Sequence, residues 1–103
     1  METTTLNVNE MRDNAESSAA FLKLLSNPTR LLVLCRLIEG ECCVGDLEKN
    51  LDISQSALSQ HLSKMRDEGI VKADKQGQHV FYSISDPNVV EVINVLYDIF
   101  CKK

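Results

Sequence analysis

Val44 to Val71 reads VGDLEKNLDISQSALSQHLSKMRDEGIV, two short apolar-periodic segments joined by a tight polar turn. Val44, Leu47 and Leu51 recur at i, i+3 and i+7, which places them on one face of a short helix, and Ile53 closes the joint beneath it. Ser54 has the side chain of an N-cap. After it, Leu58, Leu62 and Met65 recur at i, i+4 and i+7, leaving Gln55, Ser56, Ser59, Gln60 and Lys64 to face outward. A second helix whose outer face carries small hydrogen-bonding groups and no bulky apolar ones fits a nucleic-acid groove. The stretch predicts a helix-turn-helix that reads DNA.

The flanks extend this reading. Asn9 to Leu25 predicts a helix with Met11, Ala15, Leu22 and Leu25 along one side, ended by Ser26-Asn27-Pro28, where proline opens the next helix in its first turn. That second helix runs to about Glu39, with Leu31, Leu34, Cys35 and Ile38 as its inner stripe and Gly40 as the stop. Beyond Gly69, Ile70 to Lys75 and His79 to Ser85 are strand-like runs around Gln76-Gly77-Gln78, the turn of a hairpin. Asp86-Pro87 caps and opens a last helix reaching Cys101. The fold class is therefore mainly α with a β-hairpin wing, a winged helix-turn-helix. The chain reads as one domain over 1–103, with 1–8 as a flexible N-terminal tail.

The last helix is apolar over most of its circumference. Glu91, Asn94 and Asp98 make one thin polar stripe, and Val89, Val90, Val92, Ile93, Val95, Leu96, Tyr97, Ile99 and Phe100 cover the rest. A domain of 103 residues buries a limited share of its surface, so this helix and the first predict a symmetric homodimer interface. Two reading heads then address a palindromic site, spaced by about one duplex turn of ~34 Å.

Composition limits the function classes. The net charge is -4, yet Ser54 to Ser83 holds Lys64, Arg66, Lys72 and Lys75 against Asp67, Glu68 and Asp74, a local charge of +1 that leaves -5 on the remainder. A weakly basic reading head on an acidic body predicts modest, strongly salt-dependent affinity, with hydroxyls and helix N-termini supplying part of the phosphate contact. Base edges fall to Gln55, Ser56, Ser59 and Gln60, phosphates to Ser54 and Lys64, and wing contacts to Lys75, Gln78 and His79. The first twenty residues contain no signal-like apolar block and no run suffices to cross a bilayer, so a cytoplasmic location with no membrane partner is expected. There is no Ser-His-Asp order, phosphate loop or spaced carboxylate pair, so no enzymatic role and no cofactor is expected. Cys35, Cys42, Cys43 and Cys101 read as reduced thiols rather than a disulfide framework.

The segments LSNPTRLLVLCRL, ECCVGDLEKNL and SQSALSQHLSKMRDEGIV, in this order of elements, resemble the ArsR/SmtB family of transcriptional repressors over nearly the whole chain. Within it, LLVLCRL with LYDIFCKK resembles the BigR/SqrR branch, an arrangement shared by the HlyU type. That resemblance implies a repressor that holds operator DNA when reduced and releases it when persulfides or polysulfides bridge Cys35 and Cys101, controlling sulfide detoxification. Cys101, next to Lys102 and Lys103, is expected to attack sulfane sulfur first and Cys35, in apolar surroundings, to resolve the product. The family's metal-sensing sets do not match. Cys43-Val44-Gly45 has glycine where a Cys-Val-Cys pair needs its second thiol, and residues 86 to 103 contain no histidine, so no metal site is assigned. The alternatives are an arsenite or soft-metal sensor using Cys42 and Cys43, an HlyU-like anti-repressor, a thiol oxidoreductase, and a winged helix that contacts only protein.

Overall fold

The computed structural model describes residues 5–101. Eight elements follow in order: α1 (Val8–Leu25), α2 (Pro28–Ile38), β1 (Cys42–Cys43), α3 (Val44–Leu51), α4 (Gln55–Asp67), β2 (Val71–Gln76), β3 (His79–Ile84) and α5 (Pro87–Phe100). The mainly helical winged helix-turn-helix is as expected, with one addition. β1 pairs antiparallel with β3, Cys42 opposite Tyr82 and Cys43 opposite Phe81, so the sheet has three strands in the order β1-β3-β2. A two-residue strand shows too little alternation to be read from sequence.

Local chemistry fixes the element ends. Asn7 caps α1 by accepting from the backbone N–H groups of Asn9 and Glu10, Asn27 caps α2 through Arg30, and Asp86 caps α5 through Asn88. Residues 1–4 of the expected N-terminal tail lie outside the described residues, and its end needs correction, since Asn7 is the cap and Val8 the first residue of α1. The turn between α3 and α4 passes through Asp52 at φ 54, a left-handed conformation that Asp tolerates better than branched residues. The hairpin closes with Gln76 opposite His79, so Gly77 and Gln78 form the loop, and Gly77 takes φ 66 at its first position in the manner of a II′ turn. Ser85 ties the hairpin to the end of the recognition helix: its hydroxyl donates to the Gly69 carbonyl at 2.8 Å and its N–H to that of Ile70 at 2.9 Å.

One core holds the motif in place. Leu47 of α3 and Leu58, Leu62 and Met65 of α4 are fully buried with Val33, Leu34 and Leu37 of α2, Ile70 and Val71 at the wing root, and Val89 and Ile93 of α5. The stripe assigned to α2 needs correction. Leu34 is buried and Leu31 and Ile38 are half-buried, but Cys35 is exposed, and the core-facing stripe is Val33, Leu34 and Leu37. Cys42, by contrast, is a core residue.

α1 stands away from this body. Leu25 is its one buried residue, Phe21 and Leu24 are half-buried, and Met11 and Leu22 lie more than half exposed. The radius of gyration is 15.5 Å, above the ~13 Å typical of a compact chain of this length.

Candidate nucleic-acid interface and thiol groove

The N-terminal half of α4 is a continuous polar surface. Ser54 Oγ accepts the Ala57 N–H at 3.3 Å, which starts the helix and leaves Gln55, Ser56, Ser59 and Gln60 exposed on its outer face. We expect Ser54→Ala to lower stability by about 1 kcal/mol, measured by urea denaturation, because an orphan N–H at the helix start loses its acceptor. Lys64 is exposed as expected, but its ammonium lies 3.7 Å from Glu68 Oε2, so a phosphate must compete with that carboxylate. On the wing, Lys75, Gln78 and His79 are exposed, and the His79 ring meets Phe81 edge-on at 6.5 Å. Gln76 ends β2 beside the turn. Its amide nitrogen donates to Asp74 at 3.1 Å and Glu41 at 3.3 Å, so two carboxylates flank the wing and weaken its pull on phosphate.

A second feature lies between α2 and α5. An apolar groove of about 450 Å³ is walled by Leu31 and Leu32 on one side and Ile93, Leu96, Tyr97 and Phe100 on the other. Cys35 and Cys101 both line it, and both are exposed. Cys35 thus sits on an apolar wall without being buried among core residues. Lys102 and Lys103, the cations expected to favour the Cys101 thiolate, lie outside the described residues.

The other two thiols sit apart. Successive residues of a strand point to opposite faces, so Cys42 enters the core while Cys43 is half-buried at the start of α3. Burial pushes the Cys42 thiol above its ordinary pKa, Asp46 and Cys43 add to this, and Arg36 opposes it. A protonated core thiol is a poor nucleophile and metal ligand. Among the described residues no group of three His, Cys, Asp or Glu side chains converges on a common point.

Comparison with known proteins agrees with this architecture. Residues 27–73, from the cap of α2 into β2, match the family described as bacterial regulatory protein, arsR family. The transcriptional activator HlyU of Vibrio cholerae is 40% identical over 97 residues, covering 94% of this chain and 90% of its own. The chain belongs to the arsR family. The Biofilm growth-associated repressor of Xylella fastidiosa is likewise 40% identical, over 107 residues, covering 91% of this chain and 94% of its own. The crystal structure of BigR from that genus and species superposes with a TM-score of 0.89 at 38% identity, covering 95% of this chain and all of the other. Reduced HlyU from Vibrio cholerae gives 0.83 at 41% identity, covering 89% and 97%. These arsR relatives are regulators of transcription, not enzymes. No helix among the described residues is long and apolar enough to cross a membrane.

Sequence reasoning missed two participants. Arg30 bonds α4 to α2, and Leu32 helps build the groove. The proline-opened helix start identified the segment containing Arg30 but carried no sign of its partner. Leu32 was hidden by the uniformly apolar run of α2.

Proposed function

We propose that this protein is a dithiol-controlled transcriptional repressor that binds operator DNA through α4 and the wing when reduced and leaves it when polysulfide sulfur bridges Cys35 and Cys101. The observation that carries the reading is the shared groove: both thiols are accessible on one apolar surface between α2, which packs beneath the reading head, and α5. Base contacts are assigned to Gln55, Ser56, Ser59 and Gln60, phosphate contacts to Ser54 and Lys64, and wing contacts to Lys75, Gln78 and His79. Amides suit adenine edges and hydroxyls are permissive.

The sulfur step balances without a further oxidant. The Cys101 thiolate attacks the central sulfur of an organic trisulfide, expelling one thiolate, and Cys35 attacks the same sulfur, expelling the second. The protein loses two thiol protons and gains a trisulfide bridge, and the donor is reduced to two thiols. A longer donor leaves a longer bridge, which tolerates a wider gap than the ~4.4 to 6.8 Å between Cα atoms that a plain disulfide requires.

Two copies act together. Val95, Ile99 and Phe100 of α5 are exposed, as are Met11 and Leu22 of α1, so the first and last helices each present apolar side chains that a second copy would cover. In a symmetric dimer each such residue counts twice. Sedimentation equilibrium should return twice the 11.5 kDa chain mass. Ile99→Glu should weaken association by at least about tenfold, since burying an isoleucine contributes ~1.5 to 3 kcal/mol.

The test is fluorescence anisotropy of a duplex selected by the reduced protein from a random-sequence pool. The proposal expects retention that falls steeply with salt, and release on adding an organic trisulfide that reverses with dithiothreitol. Release by arsenite that survives loss of Cys35 and Cys101 would transfer the sensing role to Cys42 and Cys43. The similarity to a transcriptional activator, HlyU, favours one further reading, an activator or anti-repressor that acts through the same DNA contact.

A further inference from the structure

His61 lies on the half-buried flank of α4, beside the outward polar face and not on it. Its Nδ1 accepts the Nε–H of Arg30 at 3.0 Å, and Nη1 of the same guanidinium donates to the Leu24 carbonyl at 2.8 Å. One side chain on α2 therefore joins the last turn of α1 to the middle of the recognition helix. Arg30 is itself anchored, because its backbone N–H donates to the capping Asn27 Oδ1 at 3.1 Å. The Leu24 carbonyl is among the last four of α1, which lack an intrahelical partner, so the guanidinium satisfies an acceptor the helix leaves open.

The bond defines the charge of the imidazole. Arginine only donates, so the nitrogen facing it must be unprotonated, and His61 carries its proton on Nε2. Protonating Nδ1 would set two donors and two positive charges against each other. Burial holds His61 below the ordinary histidine pKa and the Arg30 charge adds to this. From α2 the facing charge is Arg30; the Leu24 carbonyl of α1 meets that guanidinium and not the ring; on α4 itself, Lys64 one turn on lies 3.7 Å from Glu68.

We propose that Arg30 is a positioning residue for DNA binding, which fixes α4 against α2 and α1 through neutral His61, and that acidification opens this link and lowers affinity for DNA. The proposal rests on the DNA-binding half of the proposed function and is independent of the sulfur chemistry. Its sign is distinctive. A histidine whose folded pKa is depressed contributes fully above the ordinary value near 6.5, and that contribution is lost as pH falls through the folded value. Charge alone gives the opposite trend, since a protonated histidine near a phosphate-binding surface tightens binding.

The experiment measures affinity of the full chain for the selected duplex at about pH 7.5 and at about one unit below the His61 pKa found by NMR, at constant salt, for wild type, His61→Gln and Arg30→Ala. Glutamine keeps an oxygen that accepts from Arg30 and does not titrate. The wild type should lose at least about threefold more affinity on acidification than His61→Gln, and Arg30→Ala should bind about tenfold more weakly at the higher pH. NMR titration of the His61 ring in the free protein should give a pKa below 6.5 that rises in Arg30→Ala, or in Arg30→Gln if the alanine variant does not fold. Equal acid sensitivity of wild type and His61→Gln overturns the proposal. So does a His61 that titrates at or above the ordinary value. Failure of every variant to retain duplex overturns the DNA reading and this proposal with it, whereas normal retention with a flat His61 difference overturns this proposal alone.

Discussion

Replacing either Cys35 or Cys101 with serine should leave reduced-state DNA binding within about twofold of wild type and abolish release by organic trisulfide. Both side chains lie on the wall of the α2–α5 groove and outside the core, so loss of a thiol opens no cavity and leaves the α4 surface untouched. The release step needs both sulfurs. A single thiol forms a mixed adduct that tethers nothing, whereas the proposed bridge would tie α2 to α5. α2 packs on α3, α4 and β3, and α5 carries part of the proposed dimer surface, so the bridge links the reading head to the spacing between heads. A coupling free energy of about 2 to 3 kcal/mol lowers affinity by one to two decades, and anisotropy titrations resolve that range. Release that persists undiminished in either variant overturns the assignment.

Leu58→Ala should be strongly destabilising. Leu58 is wholly buried on the inner face of α4, in a core that Leu47 of α3 and Leu34 of α2 complete. Truncation to alanine removes one of the three side chains, with Leu62 and Met65, that hold α4 down, while leaving the polar outer face intact. A loss of about 3 kcal/mol is expected, read as a shift of the urea midpoint at unchanged slope. That is a large fraction of the ~5 to 15 kcal/mol that stabilises a domain of this size. A loss below about 1 kcal/mol would mean that α4 is held mainly by other contacts.

The helix-turn-helix was legible because its two helices each have one apolar stripe and the second has a capping serine, so the 3.6-residue period and Ser54 point to the same register. The wing was legible through Gly77 and the β-branched and aromatic run Val80, Phe81, Tyr82 and Ile84 of β3. α2 was not, for a physical reason. Leu31, Leu32, Val33, Leu34, Cys35, Leu37 and Ile38 cover most of its circumference, and periodicity cannot choose between overlapping stripes. One stripe, through Val33, Leu34 and Leu37, enters the core; another, through Leu31, Leu32 and Cys35, lines the groove. The exposure of Cys35 follows from that division, and it brings Cys35 onto the same surface as Cys101. The Arg30–His61 bond was equally invisible, because the two residues are 31 positions apart and neither belongs to a periodic pattern.

Mass spectrometry of the reduced full-length protein after exposure to an organic trisulfide, with peptide mapping, tests the central claim most directly. The account predicts one cross-linked pair containing Cys35 and Cys101, heavier by the bridging sulfur less two hydrogens, with Cys42 unmodified. Separate adducts on unlinked cysteines, or a bridge formed by Cys42 and Cys43 instead, would contradict it.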